Sequence, residues 1–173
     1  MSDQKPLVGI LMGSDNDYEV MVEAARALNK FGVAFEMTVS SAHRSPERTA
    51  RYAREARVRG LRVLIVGAGA AAHLAGVVAA ETTLPVVGVP IDASSLKGLD
   101  ALLSTVQMPA GIPVATMAIG KAGAKNAGIF AVQILAAGDA GLSLRLEEFK
   151  GELAEAVEAR ADSLQERLAM EKF

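Results

Sequence analysis

The 173-residue chain has no cysteine and no tryptophan, and only 4% of it is aromatic, five Phe and two Tyr. Without thiols there can be no disulfide framework, thiolate zinc site or cysteine nucleophile, and the composition suits a reducing compartment. An excess of one charge is also missing, since 18 basic against 20 acidic side chains leave a formal net charge of −2. That balance offers none of the broad basic surface on which nucleic-acid binding usually rests. Low net charge with 51% hydrophobic residues is the opposite of a disordered composition. Met1–Pro6 lacks a basic segment leading into an apolar one, so no signal peptide is expected and the protein is expected to be cytoplasmic. An uncharged stretch, Val63 to Ala80, is rich in Ala and contains Gly67, Gly69, His73 and Gly76. It reads as a strand, a glycine loop and a helix rather than a membrane span.

What is present is an alternation of short apolar runs with helical patterns. Leu7–Met12 predicts a strand buried on both faces. A turn of helix-capping residues follows, Gly13-Ser14-Asp15-Asn16-Asp17. Val20, Ala24 and Leu28 then recur four apart, and Gly32 ends that helix. Val33–Ser40 alternates in polarity, as a strand nearer an edge would. Ser45-Pro46 predicts an N-cap and first-turn proline for a helix closed by Gly60. Leu61–Val66 and Leu84–Val89 predict two more strands, Ser94–Val106 a helix, Val114–Ile119 a fifth strand and Lys125–Ala137 another helix.

Beyond these, Leu142, Leu146, Phe149, Leu153, Val157, Leu164 and Leu168 fall at helical spacing in a segment where 13 of 33 residues are charged. This predicts an amphipathic C-terminal helix over 141–173. From Leu61 to Gly120, by contrast, only five of 60 residues carry charge, more apolar surface than one small core requires. The excess of small apolar residues there points to tight layers and to burial between subunits. No repeat or linker interrupts the chain, so 1–173 is expected to be a single domain with its tail helix at a subunit interface.

Strands alternating with helices build right-handed βαβ units and a parallel sheet covered on both faces. Ligands of such sheets bind beyond the C-terminal strand ends, where the less ordinary residues of this chain also fall. The Gly13-Ser14 turn would offer free N–H groups and a helix dipole to a phosphate, with Asp17 placed for ribose hydroxyls; taken alone, the turn reads first as plain helix capping. In Ser41-Ala42-His43-Arg44, the guanidinium can grip a phosphate in a fork. An imidazole such as that of His43 can pass a proton either way near neutrality, the alternative being a surface or capping histidine. His73 reads first as a structural histidine, and two histidines without carboxylate partners make a poor metal site. Gly67-Ala68-Gly69-Ala70-Ala71-Ala72 fits the form of a dinucleotide fingerprint. It follows the third strand rather than the first, however, and the acidic residue Asp92 lies too far along.

Taken in order, Gly13-Ser14 with Asp17, Ser41-Ala42-His43-Arg44 with Pro46, and Gly67-Ala68-Gly69 with Ala71-Ala72-His73-Leu74 closely resemble the class I PurE family. Gly88-Val89-Pro90, Val106-Gln107-Met108-Pro109, Gly111-Ile112-Pro113-Val114 and Ala118-Ile119-Gly120 with Asn126-Ala127 extend the likeness, which runs from about Leu7 to Leu135. The resemblance implies a three-layer flavodoxin-like α/β fold, a homo-octamer, and a cofactor-free, metal-free isomerase of purine biosynthesis. Its reaction moves a carboxylate from the exocyclic amine to ring carbon 4 of an aminoimidazole ribonucleotide. His43 matches the catalytic histidine, and Ser14, Asp17 and Arg44 match ribonucleotide-binding positions. Gly13, Asn16, Ser41, Ala42, Gly69 and His73 complete the expected substrate site, with Gly67–Gly69 as a loop closing over carbon dioxide. The chain departs from the family pattern at Asn16, where Ser is typical, at Ala70, where Gly is typical, and at Ala75, where Pro is typical. If position 70 requires a positive φ, its alanine is strained.

Overall fold

The computed structural model describes residues 5–171; Met1 to Gln4, part of the stretch read for a leader, lie outside the described residues. Contacts divide the chain into two compact units, Met1–Leu135 and Ala136–Phe173. The first unit runs β1 (Val8–Met12), a 3-10 turn (Asp15–Asp17), α1 (Tyr18–Lys30), β2 (Phe35–Val39), α2 (Pro46–Ala56) and β3 (Val63–Gly69). It continues with α3 (Leu74–Glu81), β4 (Val86–Ile91), α4 (Leu99–Val106), β5 (Ala115–Thr116) and α5 (Lys121–Ala136). The strands form one parallel sheet in the order β2-β1-β3-β4-β5, the flavodoxin-like arrangement.

Strand periodicity sorts the core into two halves. Leu11, Leu64, Val66, Ala68 and Val86 pack with Ala53 and Ala56 of α2, Leu74, Ala75 and Val78 of α3, and Ala101 of α4. Gly67, on the opposite face of β3, lies so close beneath Met21 of α1 that any Cβ there would collide with the thioether. Gly128 of α5 lies equally close to Ala24 and Ala27 of α1. Helices therefore cover both faces of the sheet, and small residues let them approach it closely. Val8, Ile10 and Leu11 of β1 and Val63, Leu64 and Ile65 of β3 are fully buried, as the apolar runs predict. The alternating β2 is one of the two edge strands. Gly32 and Gly60 both adopt positive φ, Gly32 just past the end of α1 and Gly60 at the end of the turn that follows α2, four residues beyond the helix it was expected to close.

Several predicted elements are shorter or shifted. α4 begins at Leu99 rather than Ser94, because Lys97 and Gly98 are both left-handed (φ +52° and +83°) and cannot continue a helix. β5 contracts to Ala115–Thr116, while α5 starts four residues early, at Lys121. Gly67–Gly69 is not a loop: it forms the last rungs of β3, paired with Val89, Pro90 and Ile91. The turn proper is 70–73.

The second unit is dominated by α6 (Ala140–Met170), about 46 Å long at 1.5 Å per residue. Asp139 caps it, accepting from Leu142 N–H at 3.0 Å. The amphipathic stripe is present, but Leu153, Val157, Leu164 and Leu168 are all exposed rather than set against a core. Among the described residues no helix is long and apolar enough to cross a membrane.

Candidate active site

Register brings the loops together. Met12 is paired with Val39 on one side and with Gly67 on the other, so the chain leaves β1 and β2 level with the end of β3. Gly13 N–H then donates to Gly67 O (3.0 Å) and Ser40 N–H to Met12 O (2.9 Å). The result is a cleft of about 390 Å³ beyond the C-terminal strand ends. Gly13, Ser14, Asn16, Asp17, Ser41, Ala42, His43, Arg44 and Gly69 all line it, so nine of the ten residues singled out in the sequence meet there. A cleft of this size suits a small metabolite rather than a macromolecule.

The Gly-Ser turn is a capping box, as the simpler of its two sequence readings has it. Ser14 Oγ accepts from Asn16 N–H (3.3 Å) and Asp17 Oδ2 accepts from Ser14 N–H (3.0 Å). Capping and ligand binding remain compatible, since only one carboxylate oxygen is needed for that bond. Asp17 is buried, and burial pushes its carboxyl above the ordinary value of 3.8. The Ser14 and Gly13 N–H groups pull it back, and the neighbouring Asp15 charge adds to the rise. A buried carboxylate that resists ionisation is poorly solvated, a state that hydroxyl donors from a sugar would relieve.

Arg44 spans two loops. Its N–H and Nε donate to Ser41 Oγ at 3.2 and 3.4 Å, and Nη2 reaches Gly13 O at 3.5 Å. The side chain is exposed, which leaves most of its five donors for an anion. Ser45, expected to cap α2 with its side chain, instead donates its hydroxyl to Ser41 O at 3.1 Å, stiffening this loop.

The tenth residue, His73, is not part of the cleft wall, yet it is tied to the site. His43 Nε2 and His73 Nδ1 lie 2.8 Å apart, with ring centroids 4.9 Å apart and planes at 89°. One nitrogen must donate and the other accept, so this bond cannot survive with both rings cationic. The bond ties the tautomer of one ring to that of the other and commits Nε2 of His43 to His73.

Sequence reasoning missed Ala68, Ala70, Ala71, Leu74 and Ala93 as lining residues. The position of Ala93, just past the end of β4, was a usable signal; the others carry no chemistry to notice. Ala70 has φ +51°, so the strain expected of an alanine at this point in the loop is present.

Comparison with known proteins agrees with this geometry. A family profile described as AIR carboxylase matches residues 7–156. The N5-carboxyaminoimidazole ribonucleotide mutase of Pyrococcus horikoshii is 52% identical over 166 residues, spanning 96% of this chain and 93% of that protein. The Bacillus subtilis protein of the same name is 52% identical over 160 residues, 92% of this chain and 99% of its own length. The phosphoribosylaminoimidazole carboxylase of Schizosaccharomyces pombe is 52% identical over 94% of this chain but only 29% of that longer protein. Among solved structures, Treponema denticola PurE superposes with a TM-score of 0.83 at 27% identity, covering 92% of this chain and 98% of that one. Sheet order, cleft and sequence together place this chain in the AIR carboxylase family.

Proposed function

We propose that the chain is an N5-carboxyaminoimidazole ribonucleotide mutase of purine biosynthesis, with His43 as its single acid-base catalyst. The observation that carries this reading is the meeting of His43, Arg44 and Asp17 in one cleft, with His73 bonded to the outward imidazole. Arg44 and the Ser14 turn hold the substrate phosphate, with the start of α1 contributing its dipole. Asp17 accepts from ribose hydroxyls through Oδ1, because Oδ2 is committed to Ser14. This places the aminoimidazole against His43.

The chemistry then balances without an added cofactor. The N–C bond of the carbamate breaks, releasing carbon dioxide, and the exocyclic nitrogen takes a proton from the imidazolium of His43. Ring carbon 4, made nucleophilic by the restored amine, attacks the trapped carbon dioxide to form the new C–C bond. The imidazole then removes the carbon 4 proton, returning to its starting state. Holding both fragments in place converts recapture into an effectively intramolecular step. The cavity wall of Ala68, Gly69, Ala70 and Ala71 gives carbon dioxide an apolar surround that keeps water away. Turn 70–73 carries the closing role expected of Gly67–Gly69.

The chain acts as a single functional domain whose tail helix packs on neighbouring copies in a cytoplasmic octamer. The exposed apolar stripe of α6 supports this. Light scattering should give eight times 18.0 kDa, about 144 kDa; the monomer mass would refute the assembly.

The test is a spectroscopic assay of carboxylate transfer. His43→Asn should fold and bind ribonucleotide while turnover falls by about 10²-fold or more, the usual share of an acid-base group. Activity near wild type in that variant would overturn the assignment. The carboxylase name of the fission-yeast relative motivates a second reading, direct carboxylation of aminoimidazole ribonucleotide. Labelled bicarbonate separates the two, since the mutase passes on the carbamate carbon whereas a carboxylase incorporates label.

A further inference from the structure

Two hydroxyls sit in the core directly behind the His43 loop. Ser40, at the end of β2, and Thr49, in the first turns of α2, are 1% and 0% exposed, and their oxygens lie 2.8 Å apart. Proton counting orients the chain of bonds. Thr49 Oγ1 donates its only proton to Ser45 O (3.3 Å), so the Ser40 hydroxyl must donate to Thr49. Ser45 in turn gives its hydroxyl and its N–H to Ser41 O, at 3.1 and 2.9 Å. The side chain of Ser41 then receives Arg44 N–H and Nε. One network thus runs from Ser40 through Thr49, Ser45 and Ser41 to Arg44, spanning the loop that carries His43.

Alanine and valine would fill the Ser40 and Thr49 sites with nearly the same shape and no buried polar atoms. A buried hydroxyl pair adds little to stability over such apolar replacements, so stability alone does not account for it. What it supplies is register, because the hydroxyls fix where α2 starts relative to the end of β2 and so where the intervening loop stands. We propose that Ser40 and Thr49 are positioning residues for the transfer reaction, holding His43 and Arg44 at the cleft. This rests on the mutase reading above.

The experiment compares Ser40→Ala, Thr49→Val and the double variant by melting and by steady-state kinetics. Thr49→Val strands the buried Ser40 hydroxyl and should lower Tm by several degrees, on the order of 2 to 10 °C, whereas Ser40→Ala leaves Thr49 bonded to Ser45 O and should lower it less. The double change strands none and should recover most of that loss. If the pair positions the loop, kcat should nevertheless fall about tenfold or more in all three, because misplacement of a catalytic group by about 1 Å can cost up to a hundredfold. Thr49→Ser, which keeps the hydroxyl, should hold kcat within about twofold. A double variant with wild-type kcat and KM would overturn the proposal and leave the pair purely structural. Wild-type protein without carboxylate transfer would instead overturn the mutase reading.

Discussion

Glycine-to-alanine substitution should have opposite signs at two helical sites, and the difference measures how tightly the small residues of this fold are packed. In α5, a Cβ on Gly128 would stand 2.6 Å from the carbonyl oxygen of Ala24 and 2.7 Å from the Cβ of Ala27. Ordinary contact begins near 3.4 Å, so α1 and α5 would have to part by roughly 0.8 Å. Overpacking of that kind costs about 1–3 kcal/mol, and the better helix propensity of alanine returns about 1 kcal/mol. The net is a loss of about 0–2 kcal/mol, or up to roughly 8 °C in Tm for a chain of this size. In α6, Gly151 has nothing within 4 Å of its would-be Cβ, so only the propensity gain applies. Gly151→Ala should therefore raise Tm by about 1–4 °C. Scanning calorimetry at matched protomer concentration reads both, since melting of an oligomer depends on concentration. A Gly128→Ala variant melting at or above Gly151→Ala would refute the close-packed contact between α1 and α5.

The remaining predictions concern the site. Ala70→Gly removes a left-handed alanine costing roughly 1–2 kcal/mol but loosens the unfolded chain by about 0.4–1 kcal/mol. Tm should rise by up to about 4 °C, and a lower Tm would show that the turn is unstrained. Asp17→Asn should stabilise the fold at neutral pH while weakening ribonucleotide binding, because the wild-type carboxylate is ionised against the resistance of burial. With the folded value raised above 3.8, the native state binds more protons than the unfolded one between those two values, so wild-type stability falls as pH rises through that window. The advantage of the Asn variant should accordingly be full above the raised value and shrink toward 3.8; a Tm difference independent of pH would contradict it. His73→Phe, which leaves His43 without its ring partner, should lower kcat about tenfold with KM little changed; an unchanged kcat would make the contact incidental.

The legible parts of the fold were those governed by local rules. β1, β3 and β4 stood out as apolar runs because both of their faces are covered, and β2 as an alternating one because it is an edge. The loops of the site could be placed because a parallel sheet gathers them at one end whatever their sequence. Local rules failed where tertiary geometry intervened. Ser94 to Gly98 has helix-compatible residues, but Gly98 is held in its left-handed turn against Asp92 and Ile119, which the linear pattern does not reveal. Gly67-Ala68-Gly69 resembled a loop because glycine seldom favours strands; here its smallness serves the close approach of Met21 and Ala93. The 2.8 Å contact between His43 and His73 joins positions 30 apart and depends on how turn 70–73 folds back. Identity marked one histidine for chemistry; only the folded turn pairs it with the other.

The strand order has a consequence for how the chain assembles as it is made. β1 is synthesised first but lies inside the sheet, and each later strand except β2 is added to the same growing side. The strands and turns that bear His43, Arg44, Asp17 and His73 have all emerged by the time α3 begins at Leu74, and Ala93 completes the wall soon after. At synthesis rates of about 5–20 residues per second, that leaves several seconds in which a nearly finished cleft exists beside an unpaired β3 or β4 edge. The hazard of this topology is thus temporal: its exposed edge is widest just when the part that will do chemistry is already in place.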